Sequence, residues 1–408
     1  MTSPDALQLR VSEAATSCSG ITRRLARLLS AGLEYGSLRI ETPSGERIEL
    51  TGRQPGPEAC LQLRRWRSLS RLAMGGAPGF ARAYVSGDWS SPDLVAFLTL
   101  AFRNYTARPD ASRFHWPLLG RMRHALNRNT RLGSRRNIAA HYDLGNEFYR
   151  LWLDAGMNYS AALFSTPTQS LECAQQNKID RALALLAPRH GDRVLEIGCG
   201  WGAFLERLLE GTECSALGVT LSSEQLAYAR RRLARSVSTG RCDLHLQDYR
   251  DVSGTFERIA SIEMLEAVGE AYWPTYFASV RRRLSAGGVA VLQVITIDEA
   301  RFERYRRRPD FIQQHIFPGG MLPTRQIIAE QAMRAGLELV EQDSFAESYA
   351  LTLACWRARF HFGWPKIARL GFDDRFKRMW DYYLSYCQVG FENGALDVGF
   401  YKFVLPRE

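Results

Sequence analysis

The feature that most constrains this chain is Val194-Leu-Glu-Ile-Gly-Cys-Gly-Trp-Gly202, an apolar strand pattern that breaks into three alternate glycines. Glycines so spaced let the backbone turn tightly and approach a ligand without Cβ collisions. A helical pattern follows, so the loop opens a strand–loop–helix unit. Further strands are expected over 216–220, 244–246, 259–262 and 289–295, with helical periodicity between them. Ser222 is placed to cap a helix running through Arg235. A last strand, 398–405, is reached only after a long helical insertion. Strands alternating with helices predict a parallel sheet covered on both faces, a doubly wound α/β domain. Gly198, Gly200 and Ala203 also satisfy the loose dinucleotide pattern GxGxxG/A. A dinucleotide site usually carries an acid at the end of the second strand, and here Val219-Thr220-Leu221 stand there.

The glycine loop lies in the middle of 408 residues, a length that accommodates two or three domains of about 150 residues each. With 46% apolar and 24% charged residues, a disordered tail, a collagen-like repeat and a small disulfide scaffold are excluded. No uncharged apolar stretch approaches the ~20 residues of a membrane span. The opening Met-Thr-Ser-Pro-Asp lacks the basic-then-apolar order of a signal peptide, so a cytoplasmic location is expected. The eight cysteines show no CxxC pair, which points to reduced thiols and to no metal site.

Charge is unevenly divided. Residues 1–140 hold 21 arginines, no lysine and 10 acidic groups, a net +11, whereas the remainder carries 32 basic and 33 acidic groups. That asymmetry points to an anionic surface, either nucleic acid or phospholipid headgroups. Ile21, Leu25, Leu28, Leu29 and Leu33 recur at helical spacing with Arg23, Arg24 and Arg27 between them. Such a basic amphipathic helix suits a membrane surface, or packs its apolar side on its own domain. Residues 38–42 and 47–50 flank Pro43-Ser-Gly-Glu and predict a strand hairpin within a smaller α+β domain. The basic, turn-rich segment 121–136 is the expected linker. It separates an N-terminal accessory domain, 1–120, from a second domain, 137–408.

The acid-Ile-Gly-x-Gly-x-Gly form of the loop resembles class I S-adenosylmethionine methyltransferases. There the loop holds the amino-acid end of the cofactor, and Asp248-Tyr249 would face the adenine. A longer set of segments narrows the resemblance: His141-Tyr-Asp-Leu-Gly-Asn, Met157-Asn-Tyr-Ser160, Gly218-Val-Thr-Leu-Ser-Ser-Glu-Gln225, Gln247-Asp-Tyr-Arg250, Ser261-Ile-Glu-Met-Leu-Glu-Ala-Val-Gly269 and Ile316-Phe-Pro-Gly-Gly-Met-Leu-Pro323. Together with the glycine loop they resemble the cyclopropane-fatty-acid synthases and related mycolic-acid methyltransferases. The N-terminal third looks like the accessory domain of the larger bacterial members.

The resemblance implies a class I (Rossmann-like) sheet with helical insertions and S-adenosylmethionine as cofactor. It places Tyr159, Ser160, Glu196, Gly198, Gly200 and Gly202 against that cofactor. Thr220, Leu221, Gln225, Gln247, Asp248 and Tyr249 complete the expected contacts. It further implies methyl transfer to the cis double bond of an unsaturated phospholipid acyl chain, a cation shielded from water, and proton loss that closes a cyclopropane. A family bicarbonate takes that proton, held by a glutamate, a tyrosine, a histidine and a Tyr-Ser-Cys turn. Glu266 and Tyr349 match the first two. The cysteine position is Ala161 and the histidine position Gln293, leaving the amide of Gln293 and the backbone of Ala161 and Ile295 as anion donors. Expected partners are the lipid, an anionic membrane surface on which the protein lies peripherally, and a second copy in a homodimer.

Two other readings stay open: a sibling lipid C-methyltransferase giving a methyl-branched alkene, and a nucleic-acid methyltransferase drawn by the basic third. Against the latter, no zinc knuckle or RNA-recognition signature is present. The fourth strand ends in Ser261-Ile-Glu-Met rather than Asn/Asp-Pro-Pro-aromatic. No nucleic-acid partner is therefore expected.

Overall fold

The structure is a computed structural model that describes residues 20–30, 32–107 and 144–406. The expected linker 121–136 and His141 lie outside the described residues. Contacts divide the chain into two compact units: Met1–Pro117 with Asp373–Val389, and Leu118–Phe372 with Gly390–Glu408.

In the first unit, β1 (Tyr35–Glu41) and β2 (Arg47–Thr51) form the expected antiparallel hairpin, with Leu38 opposite Leu50 and Ile40 opposite Ile48. Strict alternation of apolar and polar residues in Arg47-Ile-Glu-Leu-Thr buries one face and wets the other. The sheet extends to β3 (Gln54–Leu63), parallel to β1, and to the short β4 (Trp89–Ser90). Pro55 and Pro57 in β3 remove ladder donors, which is why periodicity did not signal this strand. Trp89 fills the core between Phe80 and Phe97, at ring-centroid distances of 4.5 and 5.1 Å.

The helix Gly20–Ser30 buries Leu25 and Thr22, and the Thr22 hydroxyl donates to Glu46. Its core-facing side therefore packs on its own unit, while Arg23 and Arg27 stay exposed. Three further arginines are committed internally: Arg65, Arg67 and Arg71 surround the buried carboxylate of Asp88 at 3.3, 2.7 and 2.9 Å.

Residues 373–389 join this unit through side chains rather than chain order. The Tyr84 hydroxyl donates to Asp381 at 2.7 Å, and the Arg378 guanidinium lies 5.6 Å from the Tyr84 ring centroid.

The second unit holds a seven-stranded sheet ordered β10-β11-β9-β8-β5-β6-β7. Its members are β5 (Arg193–Ile197), β6 (Ser215–Thr220), β7 (Cys242–Leu246), β8 (Phe256–Ile262), β9 (Leu284–Ile297), β10 (Glu338–Ser344) and β11 (Leu396–Val404). The five strands β5 to β9 pair in parallel, and β11 runs antiparallel to both its neighbours. Central strands are buried on both faces, in keeping with their largely apolar sequences. Leu195, Ile259, Ala290 and Leu292 pack with Tyr276, Phe277 and Val280 of the helix Trp273–Arg283.

β10 was not expected. Its sequence Glu-Leu-Val-Glu-Gln-Asp-Ser is polar because it forms the sheet edge. Ser222 caps as expected, accepting from the Gln225 amide at 3.2 Å, but the helix stops at Arg232 and a second, Ala234–Ser238, follows. Strand order reverses between β5 and β8, so the loops at their carboxyl ends diverge and leave a crevice. A doubly wound α/β fold with a smaller N-terminal α+β unit is thus the observed architecture.

The Tyr84–Asp381 bond tests the grouping of 373–389. Tyr84→Phe leaves a buried carboxylate short of a donor, and the unfolding free energy should fall by about 2 kcal/mol in urea denaturation.

Candidate active site

The crevice is a cleft of about 1120 Å³ including its open mouth, bounded by the carboxyl ends of β5, β6, β7 and β8. One wall is the glycine loop. Gly198 and Cys199 both donate their amides to the Val219 carbonyl, at 2.9 and 3.0 Å, tying the loop to β6. Gly198 has φ +83°, and a Cβ there would fall 2.3 Å from the Met264 side chain. Gly200 has φ +51°, and the space its Cβ would enter is open. Gly202 ends the turn as the residue before the helix Ala203–Gly211, behind the cleft wall.

Of the expected cofactor residues, Tyr159, Ser160, Glu196, Gly198, Gly200, Thr220, Leu221, Gln225, Gln247, Asp248 and Tyr249 all line this cleft. Asp248 is buried and clamped by its neighbour Arg250, whose Nε and Nη2 approach its two oxygens at 2.8 and 2.6 Å. Tyr249 is buried edge-on to Tyr276, and burial pushes its hydroxyl pKa up to about 12. Thr220 donates to the Gln225 side chain at 2.9 Å, which fixes the β6 end against the following helix.

Glu196 carries a different signal. It is buried, its Oε2 has no hydrogen-bond partner, and burial raises its pKa to about 8 against the pull of Lys178. A buried acceptor left unpaired at the wall of a cleft calls for a cationic or N–H ligand. The α-ammonium group of an amino-acid ligand supplies one. Lys178, which sequence reasoning missed, is wholly buried behind Ser160 and donates to the Ser160 hydroxyl at 3.0 Å. Burial lowers its pKa, while Glu263, Asp154 and Glu196 oppose that shift. Nothing in a lysine within a helical pattern betrays such a position; only the fold removes it from water.

The residues expected to perform chemistry do not all meet at Glu266. The Ala161 amide, the Gln293 amide group and the Tyr349 hydroxyl converge on Glu263, at 2.7, 2.8 and 2.9 Å. Glu263 lines the cleft; Glu266 does not. The Ile295 amide donates to Glu266 instead, whose other oxygen is buried and unpaired. Burial, then the charge of Glu263, raises the Glu266 pKa to about 8. Glu263 is raised as well, by burial first, against its three donors and Lys178. Every donor reserved for a bicarbonate is therefore engaged by a carboxylate of the chain itself, and the residues present do not fit that ion. The signal for Glu263 was the three-residue spacing of two acids in an apolar stretch, Glu263-Met-Leu-Glu266.

Aromatic rings back this end of the cleft. Tyr159 lies 5.4 Å from Trp152 and 5.3 Å from Trp356, and the Tyr349 ring sits 4.5 Å from that of Phe391, tilted by 36°. The arginine run 304–308 is partly neutralised, with Arg306 paired to Glu270 and Glu303 and Arg307 paired to Glu303.

The family described as mycolic acid cyclopropane synthetase matches residues 130–401. The chain belongs to this family. It is 39% identical over 348 residues to the tuberculostearic acid methyltransferase of Mycobacterium tuberculosis, covering 83% of this chain and 81% of that one. It is 33% identical over 339 residues to the cyclopropane-fatty-acyl-phospholipid synthase of Escherichia coli, covering 83% and 85%. The crystal structure of a mycolic acid cyclopropane synthase complexed with SAH and CTAB matches with a TM-score of 0.62 and 31% identity, over 66% of this chain and 97% of that one. A coclaurine N-methyltransferase bound to SAH shares the fold, with a TM-score of 0.61 at 16% identity. The protein is an S-adenosylmethionine-dependent methyltransferase, and the unpaired Glu196 acceptor, the glycine loop and Asp248-Tyr249 fit that cofactor.

Gly200→Asp puts a carboxylate into the open space beside the loop, at a φ that disfavours any side chain. Calorimetric affinity for S-adenosylhomocysteine should fall by at least about 100-fold, roughly 3 kcal/mol, with the fold retained by circular dichroism.

Proposed function

We propose that this methyltransferase acts on the double bond of an unsaturated phospholipid acyl chain. The observation that carries the reading is the inner wall of the cofactor cleft, lined by the Glu263 carboxylate and by Tyr159, whose ring is backed by Trp152 and Trp356. When bound, S-adenosylmethionine supplies an electrophilic sulfonium methyl, which the alkene π pair takes while the carbon–sulfur pair stays on sulfur. The positive charge left on the chain is stabilised by ring faces and carboxylates in a site that excludes water. Among the described residues lining the cleft there is no histidine, and the carboxylates there are the groups able to remove the proton.

Two products differ only in which proton leaves. Loss from the added methyl closes a cyclopropane; loss from a neighbouring chain carbon leaves a methyl-branched alkene. We favour the branched alkene, because the base held by these donors is a carboxylate fixed to the chain rather than the small ion that the resemblance ties to ring closure. The tuberculostearic acid methyltransferase among the relatives supports the same choice. The Escherichia coli relative's name favours the ring. Cofactor with a trideuterated methyl separates the two, since both products gain a net CH₂. A branched alkene keeps three deuteriums and a cyclopropane two. We expect mass spectrometry of lipid from oleoyl-phospholipid vesicles to show three.

The N-terminal unit serves, in this reading, to bring the protein to anionic lipid. With the core-facing side of the first helix packed inward and three arginines held by Asp88, attraction rests on the remaining exposed charge. No helix among the described residues is long and apolar enough to cross a membrane. Each basic residue near such a surface contributes on the order of 1 kcal/mol, screened by salt. Co-sedimentation with phosphatidylglycerol vesicles should weaken as salt rises, and Arg23→Ala with Arg27→Ala should weaken it several-fold. Equal binding to neutral vesicles would remove the electrostatic argument.

A further inference from the structure

We propose that Glu263 is the proton acceptor of the reaction, its carboxylate standing where the family resemblance places a bicarbonate ion. The inference rests on the reading of the chain as an alkene methyltransferase.

Three independent features single out this side chain. The first is its set of donors. Oε1 accepts from the Ala161 amide and from Gln293, and Oε2 accepts from the Tyr349 hydroxyl. These are three of the groups that the family resemblance places around an external anion, and they come from three separate parts of the chain. The second is the backbone. Glu263 is one of three non-glycine residues with positive φ among the described residues, at +51°, and its amide is held by the Gln293 carbonyl at 2.8 Å. A β-carbon is disfavoured in that left-handed conformation, and the surrounding hydrogen bonds hold it there. Strain retained to aim one side chain is a functional signature. The third is access: Glu263 lines the cofactor cleft, and Glu266 is not among its lining residues.

The step balances without a further reactant. The cationic chain loses one C–H proton, and that bonding pair becomes either the new C=C bond or the ring-closing C–C bond. The proton goes to a Glu263 oxygen and leaves to water on product release. Tyr349 and Gln293 act as positioning residues, holding the carboxylate while its charge changes. A fixed carboxylate also cannot diffuse away between turnovers, unlike a bound ion.

The experiment uses the full chain with oleoyl-phospholipid vesicles, in buffer stripped of carbon dioxide and then supplemented with bicarbonate. Wild-type turnover should change less than about twofold, and ¹³C-bicarbonate should give no protein-bound NMR signal. Glu263→Gly suits the left-handed backbone and empties the cradle. It should lose at least about 100-fold in turnover, in line with removal of a general base. Bicarbonate or formate should restore it at least about tenfold, with a bound ¹³C signal appearing. Glu263→Gln fills the cradle without a base, so it should be as slow and show no rescue. The proposal is overturned if wild-type turnover needs bicarbonate, if Glu263→Gly is fast in stripped buffer, or if Glu263→Gly binds S-adenosylhomocysteine normally yet is not rescued. Absence of any lipid product from the wild type would instead defeat the proposed function, and the ¹³C signal would still report on the cradle.

Discussion

Removal of carboxylates from water at the carboxyl edge of a parallel sheet is the constraint on which the rest of this site depends. Glu196 and Lys178 are buried, and Glu263 and Glu266 are largely withdrawn from solvent beside them. Such charges are costly to hold in a low-dielectric interior unless donors or counter-charges surround them. The structure meets that cost unevenly. Glu263 has both oxygens hydrogen-bonded, whereas Glu266, which accepts from the Ile295 amide, and Glu196 each keep an unpaired oxygen. The unevenness separates roles: a fixed carboxylate for the reacting chain and a waiting acceptor for the cofactor.

The sheet makes this arrangement possible. Parallel strands that end together deliver β5, β6, β7 and β8 to one edge, and the reversal of order at β5/β8 opens the crevice there. Glu196 and Glu263 belong to the ends of adjacent strands, β5 and β8, so their proximity follows from register, with Glu196 opposite Ala260. Gln293 arrives the same way on β9, opposite Ile262. The helix Ala346–Arg369 then brings Tyr349 across from a distant part of the sequence.

Within the family, the departures at Ala161 and Gln293 make sense only beside Glu263. A small residue at 161 leaves its amide as the donor, and a glutamine at 293 supplies an N–H without a titrating ring. Read singly, each substitution looks like a lost anion ligand. Read with Glu263, they form a cradle whose occupant is covalently part of the protein.

The sequence by itself determined the sheet and its glycine loop, because a buried strand ending in alternate glycines has few other uses. Several residues that share the cleft lie just after strands whose periodicity is plain, while the family resemblance is what assigned them, with Tyr159, Ser160 and Gln225, to the cofactor. Strands with mixed or polar patterns, β3 and β10, stayed hidden because an edge or proline-bearing strand does not alternate cleanly. Only the tertiary structure decided which glutamate faces the cleft. Glu263 and Glu266 are three residues apart in the same apolar context, and the positive φ at 263 turns its side chain toward Ala161, Gln293 and Tyr349. Tertiary structure alone also buried Lys178 and grouped 373–389 with the first unit, because long-range side-chain contacts such as Tyr84 to Asp381 leave no periodic trace in the chain.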